Sequence, residues 1–186
     1  MDPDEILLET EAAMEKAVDY MTHEFAAVRT GKASPALVEN IDVEAYGASM
    51  KLKQLALITT PEARLLVIQP FDSSTVKDIE KAIKESKIGI NPTVDGKIIR
   101  LPIPMLSEER RRDLVKGIKQ MAEESRVRVR SARREGMEAL KKAQKENAIT
   151  KDDLESYEKE TQKLTDTFVK RIEDGLVAKE ADIMRV

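Results

Sequence analysis

The sequence predicts an α+β protein: an elongated antiparallel three-helix bundle carrying a small inserted α/β domain, a bent two-domain molecule. Three observations predict it. Apolar residues recur at steps of three and four over residues 1–30 and again beyond residue 107, the seam of packed helices. Between them, residues 32–104 break into short apolar runs separated by glycine and proline, as strands and turns do. Charged residues make up 36% of the chain and aromatics 3%, which suits long solvated helices and leaves little to line an aromatic pocket.

The first helix is announced by Asp2 as N-cap, Pro3 at the first helical position, and Asp4 and Glu5 at the positive end of the dipole. Leu7, Met14, Val18, Met21, Phe25 and Val28 form its seam, with Glu11 as the weak member. His23, between Met21 and Phe25, reads as a bundle residue. The pattern stops at Thr30-Gly31, where glycine can end a helix in a left-handed conformation.

The middle of the chain changes period. Ile41–Tyr46 alternates as a half-buried strand, and Gly47 breaks it. Leu65–Gln69 is a short apolar run ending at Pro70. Asp72, Ser73 and Ser74 cap a helix over about 75–86, whose Val76, Ile79 and Ile83 face one way. Val94-Asp95-Gly96-Lys97 is a turn, and Ile98–Leu101 a further strand, closed by Pro102-Ile103-Pro104.

From Ser107, an N-cap followed by Glu108 and Glu109, a second helix runs to about Lys145. Ile118, Ala122, Ser125, Val129, Ala132, Gly136, Leu140 and Ala143 form its inner stripe, and the small members let neighbouring helices approach closely. Some 38 residues make a rod of about 57 Å. Thr150, with Asp152 and Asp153 behind it, caps a third helix with Leu154, Tyr157, Leu164, Phe168 and Ile172 at its seam. The link at residues 146–149 is short, so the second and third helices are antiparallel. The bundle therefore takes residues 1–30 and 105–186, and the inserted domain takes 31–104. Arg29–Gly31 and Pro102–Pro104 are the joints, and two short joints permit a hinge.

Charge is segregated along the chain, whose net charge is −3. Residues 1–30 hold two basic against eight acidic side chains, and residues 150–186 hold seven against ten. Residues 105–149 hold thirteen against eight. Five arginines fall between Arg126 and Arg134. On a helix, Arg126, Arg130, Arg133 and Arg134 stand at i, i+4, i+7 and i+8 and share a face. Arg112, Lys116 and Lys119 extend the stripe, broken by Glu123. An acidic protein with one basic stripe is suited to meet a polyanion in one orientation.

Other functions find little support. The absence of cysteine excludes disulfides, thiolate metal sites and cysteine catalysis. No apolar run approaches the ~20 residues of a membrane helix, and the N-terminal Asp2-Pro3-Asp4-Glu5 is acidic where a secretory signal is basic. His23 is the only histidine and lacks ligand spacing, and no glycine cluster forms a phosphate loop. The expectation is a cytoplasmic, non-enzymatic monomer with no cofactor, metal or membrane partner. A helical protein-interaction scaffold or chaperone, using its methionines as adaptable contact groups, is the alternative.

A set of motifs in order along almost the whole chain resembles the bacterial ribosome recycling factor family. They are Arg29-Thr30-Gly31-Lys32-Ala33-Ser34-Pro35, Tyr46-Gly47, Gln54-Leu55-Ala56, Pro70-Phe71-Asp72, Gly89-Ile90-Asn91-Pro92, Ile99-Arg100-Leu101-Pro102, Glu108-Glu109-Arg110-Arg111, the arginine run, and Leu164-Thr165-Asp166. The resemblance implies a translation factor that binds post-termination ribosomes. With elongation factor G, and GTP hydrolysed by that factor, it separates the subunits so that mRNA and tRNA leave. It further implies that the bundle lies along the rRNA of the large ribosomal subunit and that the inserted domain swings and meets the elongation factor. The family's RNA-contacting arginines map onto Arg130 and Arg133, with Arg126 and Arg134 beside them, and its hinge motif onto Arg29, Thr30 and Gly31. Two stretches depart from the pattern: Ala48-Ser49-Met50-Lys51 replaces a proline-bearing loop, and Glu135-Gly136-Met137 replaces Asp-Ala-Asn.

Overall fold

Three long helices arise where the heptad pattern lies. A computed structural model describes residues 2–185, and its chain divides into two compact units, one from the residues up to Arg29 and from Glu108 onward, the other from Thr30–Ser107. In the first unit, α1 spans Pro3–Ala27, α4 spans Glu108–Lys145 and α5 spans Lys151–Met184. The Asp2 carboxylate accepts from the Asp4 amide at 3.1 Å, satisfying one of the four orphan donors of α1. Thr150 and Asp153 form a reciprocal capping box at the start of α5, at 3.1 and 3.0 Å. Asn147, at φ +59°, ends α4 in the left-handed conformation, and the next amide, of Ala148, reaches back to the Ala143 carbonyl at 2.9 Å.

Every residue of the expected inner stripe of α4 is buried, from Ile118 through Ala143, with Val115 added. Ser125 in that stripe satisfies its hydroxyl on the Ala17 carbonyl of α1, at 2.7 Å. The directions follow from the contacts. Ser125 meets Ala17 and Gly136 approaches Thr10, so α4 runs antiparallel to α1. Arg126 pairs with Glu173 and Lys119 with Glu180, so α4 is antiparallel to α5 as well. Tyr157 bonds Asp4 and Arg171 bonds Glu15, which makes α1 and α5 parallel to one another.

The seam of α1 is displaced at its start. Ile6 and Thr10 are buried, whereas Leu7 is half-buried and Glu11 exposed. Thr10 can lie inside because its hydroxyl donates to the Ile6 carbonyl at 2.7 Å and so carries no unpaired polar group. His23 lies within α1 of the bundle and is exposed: on the 3.6-residue period it falls between the buried Met21 and Phe25 and turns outward. Met14 and Met21 are buried core groups, so they are not adaptable contacts of a scaffold surface. Helix α1 stops at Ala27, where Val28 turns extended, three residues before Gly31.

In the second unit, β1 (Asp42–Ala45) and β2 (Ala48–Lys51) form a hairpin across Tyr46 at φ 54° and Gly47 at φ 74°, the turn that matches strand twist. A four-residue helix α2 (Leu52–Leu55) leads into β3 (Ala56–Glu62), followed by β4 (Leu65–Pro70), α3 (Val76–Glu85), β5 (Thr93–Asp95) and β6 (Ile98–Pro102). The sheet order is β3-β4-β6-β5, antiparallel throughout. Leu66, Ile68, Ile99 and Leu101 line one face and share a core with Ile79 and Ile83 of α3. Ala48–Lys51, read from the sequence as a loop, is thus the second arm of a hairpin.

The chain crosses between the units twice. The Ala33 amide donates to the Ala63 carbonyl at 2.7 Å, and the Ile103 amide to the Arg64 carbonyl at 2.8 Å. Pro102 is the last residue of β6, opposite Leu65. The sheet therefore holds the chain as far as Ile103. The second crossing has no regular structure over residues 103–107, so Ile103 and Pro104 of the expected joint lie in it while Pro102 closes β6.

Candidate nucleic-acid interface

The rotation of α4 is set by its buried stripe, and that rotation fixes which basic side chains turn outward. Arg130 and Arg134 are exposed, and Arg126 and Arg133 stand half-buried at the edge of the same face. Arg128, inside the same run of arginines, belongs to the opposite flank, where its guanidinium lies 4.2 Å from the centre of the Tyr20 ring. The i, i+4, i+7, i+8 selection from the sequence thus separates the arginines that share a face from the one that does not.

The four arginines differ in how they are held. Arg126 is tied twice, from Nε to Glu173 Oε1 at 2.6 Å and from Nη1 to Glu123 Oε2 at 2.7 Å, and its side chain is only 19% exposed. Arg130 donates from Nη2 to the other Glu123 oxygen at 2.8 Å. The Arg130 guanidinium, and after it that of Arg126, holds the Glu123 carboxyl below the usual carboxylate range. Arg133 and Arg134 make no ion pair among the described residues, and the Arg133 Nε is buried with no hydrogen-bond partner. Of the four arginines, these are the two without an internal ion pair among the described residues.

They border a depression of about 810 Å³ whose lining includes Arg130, Ser131, Arg133, Arg134 and Lys141 together with two carboxylates, Glu138 of α4 and Glu158 of α5. Lys141 was not among the residues selected from the sequence. Its spacing of i+7 from Arg134 and i+8 from Arg133 is the signal that finds it. Towards the N-terminus of α4 the stripe is partly neutralised. Arg112 donates to Glu108 at 2.6 Å and Lys119 lies 4.0 Å from Glu180, whereas Lys116 is exposed without an ion pair among the described residues. Positive charge open to an external anion is therefore concentrated at the Arg130–Lys141 end.

Of the residues expected at the joints, Arg29 and Pro104 are exposed and Thr30 is half-buried. Gly31 takes φ +78°, and a Cβ there would stand 3.2 Å from Leu106 Cγ, so the two crossings touch within the smaller unit. Among the described residues, no group of three or more His, Asp or Glu is placed to hold a metal ion, and no helix is long and apolar enough to cross a membrane.

Comparison with known proteins adds the following. The family model for ribosome recycling factor matches residues 21–184. The ribosome-recycling factor of Akkermansia muciniphila is 57% identical over the whole length of both chains. That of Halalkalibacterium halodurans is 50% identical over 98% of each. Among solved structures, a ribosome recycling factor in solution matches with a TM-score of 0.75 at 44% identity, covering 100% of this chain and 99% of that one. A T. thermophilus ribosome recycling factor matches with a TM-score of 0.63 at 42% identity over all of both chains. It comes from models of that factor and E. coli elongation factor G bound to the E. coli post-termination complex.

Proposed function

The chain belongs to the ribosome recycling factor family, and on that premise we propose that it docks on the rRNA of the large ribosomal subunit through the outer face of α4. It is a translation factor of ribosome recycling. With elongation factor G, and GTP which that factor hydrolyses, it separates post-termination ribosomes into subunits and frees mRNA and tRNA. It breaks no bond of its own, uses no cofactor or metal, and works as a cytoplasmic monomer.

The observation that carries the docking surface is the uncommitted state of Arg133 and Arg134 beside a depression with Lys141. A guanidinium offers a planar fork to phosphate oxygens, and such contacts supply affinity and orientation with little reading of sequence. The 38 residues of α4 display these charges at fixed intervals, which suits structured RNA read by its shape. Arg126 and Arg130 extend the contact once phosphate replaces Glu123, and Arg112, Lys116 and Lys119 add long-range attraction. The acidic outer surfaces of α1 and α5 disfavour the reverse orientation.

The bundle is then an anchored rod, and the smaller unit is the part that moves. Arg29, Thr30 and Gly31 on one crossing and Pro104 on the other form the pivot, with Pro102 and Ile103 fixing the second crossing to the sheet. Elongation factor G meets the smaller unit, and the rod converts that push into strain on the contacts between subunits. The test is co-sedimentation with purified large subunits across a salt series, together with a subunit-splitting assay. Arg133→Ala keeps folding stability within about 0.5 kcal/mol of the parent, as surface changes do, yet binds more weakly, and Arg133→Glu fails to split. Equal retention of Arg133→Ala and parent at moderate salt rejects the surface.

A further inference from the structure

Glu123 lies within the basic face, and its two oxygens engage two different arginines. Glu173 holds Arg126 through Nε, the nitrogen nearest the helix backbone. Glu123 instead occupies Nη1 of Arg126 and Nη2 of Arg130, terminal nitrogens of the two guanidinium groups, at 2.7 and 2.8 Å. Both Glu123 and Arg130 are 54% exposed, so their bond stands where an arriving anion meets the face, whereas Arg126 is 19% exposed and is reached only at its edge. We propose that Glu123 is a built-in competitor for ribosomal phosphate, an internal carboxylate that must be displaced before Arg126 and Arg130 can join the RNA contact.

The consequence is a weaker and more reversible grip than the count of arginines implies. Each arginine occupied by Glu123 in the free protein exchanges one anionic partner for another on binding, and the displaced carboxylate remains near the phosphates. Fewer counterions are released from the RNA per arginine gained, so salt dependence is shallower as well. A factor that must leave after every round of termination benefits from that limit. Glu173 does a different job, since its bond to Nε fixes the Arg126 side chain without covering its far end.

This inference rests on the docking surface above, and one series separates the two. Binding to purified large subunits is measured across potassium chloride concentrations for the parent, Glu123→Gln, Glu124→Gln and Arg133→Ala, with melting curves confirming folding. Glu124, exposed one position along and turned about 100° away, controls for the loss of a negative charge in general. Glu123→Gln is expected to bind roughly three- to tenfold tighter than Glu124→Gln, the scale of two exposed ion pairs released. Its slope of log K against log salt steepens by about 0.7 to 0.9 for each arginine freed. If Glu123→Gln binds no tighter than Glu124→Gln while Arg133→Ala still weakens binding, the competitor role is wrong and the docking surface stands. If Arg133→Ala binds as the parent does, both fall.

Discussion

Gly136 of α4 and Thr10 of α1 meet so closely that a Cβ on the glycine would stand 2.4 Å from Thr10 Oγ1 and 3.1 Å from its Cγ2. Glycine inside an exposed helix ordinarily costs about 1 kcal/mol relative to alanine, so Gly136→Ala would stabilise an isolated α4. Here the sign reverses. Threonine is short and branched, and turning it only presents the other branch, so the helices must separate, at a cost of about 1–3 kcal/mol. Urea denaturation of Gly136→Ala, Thr10→Ala and the double variant checks this. The double variant recovers most of the loss, and simple additivity of the two single changes contradicts the contact.

The same glycine shows what the sequence made legible. Along α4 the small and apolar residues keep one helical period for the whole rod, so its buried stripe could be read residue by residue. At the start of α1 the reading slipped by one position, because Thr10 counts as polar until its hydroxyl is seen bonded to the Ile6 carbonyl. The strand β3 was illegible for another reason. Only Ala56 along it is buried, and its end, Thr59-Thr60-Pro61-Glu62, is exposed, so no alternation marks it. In the basic face, spacing alone separated Arg126, Arg130, Arg133 and Arg134 from Arg128. It could not reveal that Arg126 is already committed, since Glu173 lies 47 residues away and only the packing of α5 brings it near.

Arg134→Ala should lower the magnitude of the salt slope by about 0.7 to 0.9, the contribution of one phosphate contact. Arg134 is exposed and makes no ion pair among the described residues, so its loss breaks no internal pair there. Binding weakens by a similar factor whatever RNA sequence lies beneath, because a phosphate contact does not read bases. Arg128→Ala is the comparison, as that side chain rests on Tyr20 on the other flank. A slope reduced as much by Arg128→Ala as by Arg134→Ala would mean that charge, and not the face, governs binding.

Tyr157 of α5 donates to the Asp4 carboxylate of α1 at 2.6 Å, and chiefly that bond raises its hydroxyl from the ordinary 10.0 to about 12. The folded state therefore holds the Tyr157 proton more tightly than the unfolded chain. Its stabilising effect is whole below about pH 10, shrinks as pH rises, and is gone near pH 12. Tyr157→Phe removes it. The gap in urea midpoint between parent and Tyr157→Phe should be constant from neutral pH to about 10 and close above that. A gap that persists unchanged at the alkaline end shows that the hydroxyl does not act through Asp4.

The pivot can be tested at Gly31 without touching the basic face. Its φ of +78° is costly for any side chain, about 1–2 kcal/mol for alanine, and a Cβ would press on Leu106 Cγ at 3.2 Å. Gly31 lies outside the anchor at Ala33 and Leu106 lies outside the anchor at Ile103, so the sheet cannot absorb the displacement. One of the two crossings must move. Gly47 provides the control, because it has a similar φ of +74° and nothing within 4 Å of its Cβ direction. Both alanine variants strain the backbone of the smaller unit, but only Gly31→Ala disturbs the chain between the units. If α4 is the docking surface proposed above, binding to large subunits should stay within about twofold of the parent for both, the scale of surface effects. Splitting driven by elongation factor G and GTP should fall for Gly31→Ala and hold for Gly47→Ala. Equal splitting by the two variants would remove Gly31 from the pivot, and lost binding by Gly31→Ala would mean that the crossings support the RNA-facing helix itself.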